Sequence, residues 1–233
     1  MPPALILTAV ELEARVLARE LELRALAAGP SPVFARGAVR LAVVGVGAAM
    51  LGQRWPSLLD GLERPLVISA GLCGGLDPRL VPGDLVVPES VAGPAGELYN
   101  VTPSRHRAAV AAAPSASTAL LVTTREVVAT PAAKAALFAR TGAAAADLES
   151  SLILHAAAAS GLPSLVVRGV SDGAREGLPP ELLRLVTPEG KMRLAGAIAL
   201  VARPAILPRA LDLHRATRRA LRAVARLLAA LTA

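Results

Sequence analysis

Several acidic residues stand where short apolar runs of this sequence give out, and carboxylates in such places can move protons on a bound small molecule. The stretch VVRGVSDGAREGLPP, residues 166–180, shows the pattern. Leu165, Val166, Val167 and Val170 have the aliphatic and β-branched character of a buried strand, and Gly173, Gly177 and the Pro179-Pro180 pair mark a loop after it. Asp172 therefore falls at a strand's C-terminal end, where α/β proteins hold ligands. Aspartate is also a favoured turn residue, so this position taken alone fits a turn or cap as well. Glu11 and Glu13 follow the first apolar run, and Asp147 and Glu149 follow GAAAA. If parallel strands bring these ends to one edge of a sheet, the carboxylates and the glycine-rich turn Gly71–Gly75 line a single cleft.

Positioning such groups needs alternating strands and helices, and the chain reads that way. Ala4–Thr8 is a short apolar strand, and Glu11 to Ala28 follows with good helix formers and apolar residues at Leu12, Val16, Leu17 and Leu21. Leu41–Val46, Leu66–Ala70, Asp84–Pro88 and Ala119–Thr123 read as further strands. A helix over Ala132–Arg140, a strand near Ala143–Ala146 and a helix over Glu149–Ser160 lead into the strand that closes at Asp172. This alternation predicts an α/β fold, one domain over 1–233, with a mostly parallel sheet; the crowding of strands between 41 and 90 predicts that it is mixed and partly closed. From Pro208 to Ala233, Leu213, Thr217, Ala220, Val224, Leu227, Leu228 and Leu231 recur every three or four residues, while Arg215, Arg218, Arg219, Arg222 and Arg226 fall largely elsewhere. This basic amphipathic helix either packs on the sheet with a solvated arginine face or lies on an anionic membrane surface.

Composition removes several classes. With 233 residues, 54% of them hydrophobic, the chain can bury one sizeable core. No charge-free apolar run reaches the roughly 18 residues of a membrane span, and no basic region precedes the N-terminal apolar stretch, so a cytoplasmic protein is expected. The single Cys73 can form neither an intramolecular disulfide nor a thiolate metal site, and His106, His155 and His214 are scattered; no metal and no cofactor are expected. Net charge is +7, but aromatic content is 2% and no base-reading motif occurs, so nucleic acid is not an expected partner. Lys134 and Lys191 are the only lysines, so arginine carries nearly all the positive charge. GVGAAM lacks the third glycine of a dinucleotide fingerprint, and neither a P-loop nor a GxSxG elbow is present. Cys73, within GLCGG, reads as a small buried hydrophobe rather than a nucleophile.

The ordered set LTAVELEA, VVGVG, ISAGLCGGLDPRLVPGDLVVPE, ADLESS and VVRGVSDGA runs from Leu7 to Ala174, most of the chain. It resembles the nucleoside phosphorylase superfamily, and in particular the branch that hydrolyses methylthioadenosine and S-adenosylhomocysteine. Three segments are similar to the hopanoid-associated phosphorylases: GLCGGLDP, SDGAREGLPPELLRLVTPEGK and RPAILPRALDLHRATRRALRAVARLL. That resemblance implies removal of adenine from adenosylhopane during hopanoid biosynthesis; a general adenosine-type nucleosidase of the same superfamily, or a phosphate-dependent enzyme, stays open beside it.

Cleaving an N-glycosidic bond requires protonating the base, stabilising a cationic sugar and delivering a nucleophile. The resemblance implies Asp172 as general acid at purine N7, Glu13 as the group that orients and deprotonates water, and Glu149 as acceptor for ribose hydroxyls. Asp172 is expected to stay partly protonated through burial beside apolar neighbours such as Val170. Cys73 and Gly74 are expected to offer close backbone approach, and Leu148 and Ser171 to touch substrate with their motifs. Val127 and Val128 would lie against the purine where nucleosidases place an aromatic residue, a departure that shifts recognition toward shape and the rest of the substrate. A glutamate in the first loop favours water over phosphate, and Arg168 reads as an internal ion-pair partner. A homo-oligomer, most simply a dimer, is implied, with peripheral contact to the inner membrane surface through the C-terminal helix. A non-catalytic nucleoside- or lipid-binding module would have little need for all three acids.

Overall fold

The computed structural model describes residues 3–26, 32–178, 187–191 and 207–232, with side chains from 211 onward in the last segment. The expected end of the first helix at 27–28, the Pro179-Pro180 loop and most of the 179–206 stretch lie outside the described residues.

The described strands form one mixed sheet. At its centre β1 (Ala4–Thr8) lies parallel to both β4 (Val39–Val43) and β5 (Leu66–Gly75). Every residue of β1 is buried, because helices cover both faces of the sheet; a continuous apolar run, rather than an alternating one, is what such a strand requires. The opposite edge of β5 carries β11 (Ser164–Asp172), parallel to it from Val67 to Gly74, and β11 in turn pairs with the short β6 (Leu85–Val86). Beyond β5 the sheet continues through β10 (Ala145–Asp147), β9 (Leu121–Thr123), β7 (Ser90–Ala92) and β8 (Leu98–Asn100). The outer edge is the meander of β2 (Arg24–Ala25) and β3 (Val33–Arg36) against β4. The strand β5 thus has three partners, and the sheet is mixed and partly closed, as expected.

Helix α1 (Glu11–Glu20), α3 (Pro103–Ala112) and α6 (Leu207–Thr232) share one face, where Leu17, Ile6, Ile68, Leu165, Leu221 and Val224 belong to one core cluster. Helices α2 (Leu51–Leu59) and α5 (Ser150–Ala159) cover the other, packing Leu58 and Ile153 on Leu5, Leu7 and Val67. Helix α4 (Pro131–Thr141) lies beside β9 and β10, capped by Thr130, whose hydroxyl accepts from Ala133 N–H.

Several boundaries differ from the sequence reading. The first helix stops at Glu20, not Ala28: Glu22 adopts a left-handed φ of 54°, and the chain turns into β2. The second strand ends at Val43 rather than Val46, because Gly45, at φ 82°, leads into a 3₁₀ turn over Val46–Ala48. The strand begun at Leu66 runs on through the glycines to Gly75, held by β11 along its length. Helices α2 and α3 and the hairpin β7–β8 have no counterpart in that reading; α3 buries only His106 and Ala109, too little to print an apolar stripe. The C-terminal helix packs on the sheet through Ala220, Leu221, Val224, Leu227 and Leu228, while Arg215, Arg218, Arg219, Arg222 and Arg226 stay exposed. No described helix is long and apolar enough to cross a membrane.

Candidate active site

The site originates in a gap along one edge of β5. There β1 runs alongside Leu66–Ser69 and stops at Thr8, while β10, antiparallel to β5, arrives from the other end beside Gly75 and Gly74 and stops at Asp147. Two strands therefore point at each other across Gly71 and Leu72. The sequence reading needed parallel strands to gather the acids; here an antiparallel pair gathers them, head to head.

Backbone polar groups exposed in such a gap must find other partners. The N–H of Leu72 donates to Glu13 Oε1 at 2.9 Å, and Arg168 Nη1 donates to Leu72 O at 3.4 Å. Glu13 Oε2 also accepts the N–H groups of Ala9 and Val10 at 3.1 and 3.2 Å. Gly71 makes this closure possible: a Cβ there would lie 2.7 Å from Glu13 Oε1 and 2.8 Å from Arg168 Nη1.

Arg168 is buried, as are three carboxylates around it. It meets Asp147 Oδ2 at 2.8 Å and Glu149 Oε2 at 3.6 Å, with further donation to Ser69 and Ser150. Asp147 also receives the Thr123 hydroxyl at 2.8 Å, and Glu149 Oε1 receives Gly47 N–H at 3.0 Å. One guanidinium does not neutralise three carboxylates. Burial pushes Glu149 up to about 8 and Asp147 and Glu13 add to that push, with Arg168 opposing it. Burial also raises Glu13, against Arg168 and the three backbone N–H groups it accepts.

Asp172 closes β11 one bulge later than regular pairing would place it: Val170 pairs with Cys73 but Asp172 with Gly74, and Ser171 is the extra residue. The expected apolar surroundings of its carboxyl are not what the structure has. Lys134, fully buried in the first turns of α4, donates from Nζ to Asp172 Oδ2, and also to the carbonyls of Gly173 at 2.7 Å and Glu176 at 3.0 Å. Ser171 Oγ donates to Asp172 Oδ1 at 2.5 Å and lies 3.2 Å from Cys73 O.

A cleft of about 620 Å³ joins these groups, within the range of small-molecule sites. Its lining includes Glu13, Leu72, Cys73, Gly74, Val127, Val128, Asp147, Leu148, Glu149, Ser171 and Asp172, so the nine residues to which the family resemblance gives a role line one space. Glu11 lies apart, paired with Arg15 on the surface. Burial pushes the Cys73 thiol well above its ordinary range, which leaves it unreactive. The reading missed Lys134, whose one signal was being a rare lysine in an arginine-rich chain, and also Leu76, Leu178, Thr187 and Pro188 on the cleft wall. The turn Thr187–Lys191 seats itself over two loops: Pro188 O accepts Val46 N–H and Gly190 O accepts Glu11 N–H. No group of three or more metal-ligating side chains occurs among the described residues.

A partly closed mixed sheet thus gathers buried acids at a strand gap beside one cleft, and this chain is a nucleosidase or nucleoside phosphorylase, as its family match shows. Residues 4–203 match the sequence profile of the phosphorylase superfamily, and the chain belongs to it. Among curated proteins none matches the sequence significantly. Solved structures share the fold at low identity. The 5′-methylthioadenosine/S-adenosylhomocysteine nucleosidase of Neisseria meningitidis, in complex with methylthio-immucillin-A, superposes with a TM-score of 0.75 at 17% identity, covering 100% of this chain and 99% of its own. Futalosine hydrolase of Helicobacter pylori gives 0.74 at 15%, covering 99% and 97%. The nucleosidase of Colwellia psychrerythraea in complex with adenine gives 0.73 at 18%, covering 99% and 94%.

Proposed function

We propose that this enzyme hydrolyses the N-glycosidic bond of a 5′-substituted adenine nucleoside, adenosylhopane being the substrate its sequence resemblance favours. The observation that carries the reading is the convergence of Glu13, Glu149 and Asp172 on one cleft. Asp172 gives a proton to purine N7, the C1′–N9 bond breaks with its electron pair passing to the base, and water oriented and deprotonated by Glu13 adds to C1′. Glu149 takes the ribose hydroxyls. Val127, Val128 and Leu148 flank the base, Ser171 stands beside the acid, and the backbone at Cys73 and Gly74 approaches the substrate without side-chain obstruction.

The same geometry supports water rather than phosphate. A phosphate dianion needs free backbone N–H groups and cationic side chains. In the loop between β1 and α1 the N–H groups of Ala9 and Val10 are taken by Glu13 itself and that of Glu11 by Gly190 O, while the Arg168 guanidinium is engaged by Asp147 and Glu149. Adenine release from methylthioadenosine, adenosine and a 5′-alkyl adenosine, each with and without phosphate, tests the reading. Phosphate-independent release is expected, fastest for the 5′-alkyl nucleoside; strict dependence on phosphate would overturn the choice of nucleophile. Asp172→Asn protein should bind nucleoside yet release no adenine, and full activity would remove the assigned role.

The exposed arginines of α6 support peripheral contact with an anionic membrane, where a lipid-linked nucleoside resides. Co-sedimentation with anionic and neutral vesicles tests that contact, and sedimentation velocity tests the homodimer.

A further inference from the structure

Lys134 has no part in the chemistry above, yet it is wholly buried, and its ammonium group faces the carboxyl to which the acid role is given. A buried cation is retained only against a strong partner. Here all its donors are used within one short stretch: Asp172 Oδ2, the Gly173 carbonyl and the Glu176 carbonyl. Glu176 Oε2 accepts Gly173 N–H at 2.9 Å, so the lysine and this glutamate together fasten the loop that leaves β11. Lys134 thereby occupies Oδ2 of Asp172, while Oδ1 meets Ser171. The Ser171 hydroxyl has one proton to share between Asp172 Oδ1 and Cys73 O.

From this arrangement we infer that Lys134 is a positioning residue for the acid, whose fixed positive charge neutralises the carboxylate that Asp172 becomes when its proton passes to the leaving base. The inference rests on the function proposed above. In the step, the Asp172 O–H bond breaks, N7–H forms, C1′–N9 breaks, and the negative charge that would have gathered on the base is left on Asp172 beside an ammonium that keeps its own protons. The neutral base departs, and solvent returns a proton to Oδ1. Since the charge on Asp172 appears only as the bond breaks, Lys134 stabilises the transition state more than the bound substrate. It does so only where the leaving group needs a proton.

That condition separates this role from a structural one. Wild-type and Lys134→Gln proteins are compared on methylthioadenosine, whose base must be protonated, and on 4-nitrophenyl β-D-riboside, whose phenolate leaves unaided. The expected result is a loss of about a hundredfold in kcat on the nucleoside with KM little changed, and a change within about threefold on the aryl riboside. Lys134→Arg, which keeps the charge, should recover part of the nucleoside rate. Equal losses on both substrates, or no loss on either, would overturn the inference. Should the single variant fold poorly, Lys134→Gln combined with Asp172→Asn removes both buried charges together. It should cleave the aryl riboside no slower than Asp172→Asn alone, and a further tenfold loss there would show the lysine acting elsewhere. A wild-type protein that cleaves the aryl riboside but no purine nucleoside would overturn the function itself and the lysine's role with it, a result distinct from any of the variant outcomes.

Discussion

The carboxylate of Glu13 reaches 2.9 Å from the backbone N–H of Leu72, a residue 59 positions further along the chain. That contact fills the break between β1 and β10 on the edge of β5. It makes the geometry of the cleft depend on one side chain and one missing side chain, and the first two predictions follow from it.

Glu13→Gln replaces two acceptor oxygens by one acceptor and one donor, while the N–H groups of Ala9, Val10 and Leu72 still require acceptors. Stability should fall by about 1–3 kcal/mol, the cost of leaving a buried donor unpaired. Adenine release should fall by about 10²–10⁴ with nucleoside binding retained. Thermal melts and single-turnover kinetics read the two effects separately.

Gly71→Ala places a methyl group 2.7 Å from Glu13 Oε1 and 2.8 Å from Arg168 Nη1, and it does so at a φ of 148° that side chains rarely adopt. Both charged groups must retreat. Turnover should drop by about a hundredfold, since small misplacements of positioning groups cost that much. Near-native circular dichroism together with unchanged activity would show that the gap tolerates filling.

Glu149 sets a pH dependence. Its ordinary value is 4.5, and burial, with Asp147 and Glu13, pushes it up to about 8 in the fold. Between those values the folded protein holds a proton that the unfolded chain has released, so stability falls as pH rises through that window and levels off above it. Melting temperature should therefore decline from pH 5 to pH 8, and Glu149→Gln should flatten the decline. A variant with the wild-type slope would place the titration on another group.

Gly169→Val tests the seat of the C-terminal helix. A Cβ at Gly169 would lie 2.9 Å from Ala220 Cβ and from the Ala220 carbonyl oxygen, a contact with no flexible side chain to yield. Overpacking of this kind costs about 1–3 kcal/mol. Melting temperature should fall by several degrees, and a protein as stable as wild type would mean that the helix can shift on β11.

Much of the fold was legible because buried strands and amphipathic helices print their period on the chain. ALIL and LVV are continuous apolar runs since helices cover both faces of the sheet, and the C-terminal helix shows its buried stripe directly. The hairpin β7–β8 was not legible because its strands are three residues each, α3 because it lacks an apolar face, and α2 because Pro56 interrupts its helical signal.

For the site, residue type and position at the end of a run marked Glu11, Glu13, Asp147, Glu149 and Asp172, because a carboxylate following a buried strand stands out against its apolar neighbours, and the family resemblance chose Glu13, Glu149 and Asp172 among them. Their partners were not so marked. Lys134 lies 38 positions before Asp172 on a helix with no apolar stripe to orient it, and the bulge at Ser171 is a property of pairing with β5, not of the local sequence. The amino-acid sequence by itself determined which groups can ionise and which segments must be buried, since both depend on side-chain chemistry and local period. Only the tertiary structure decided which cation faces which carboxylate, because charge pairing in a low-dielectric interior depends on distances that chain separation does not set.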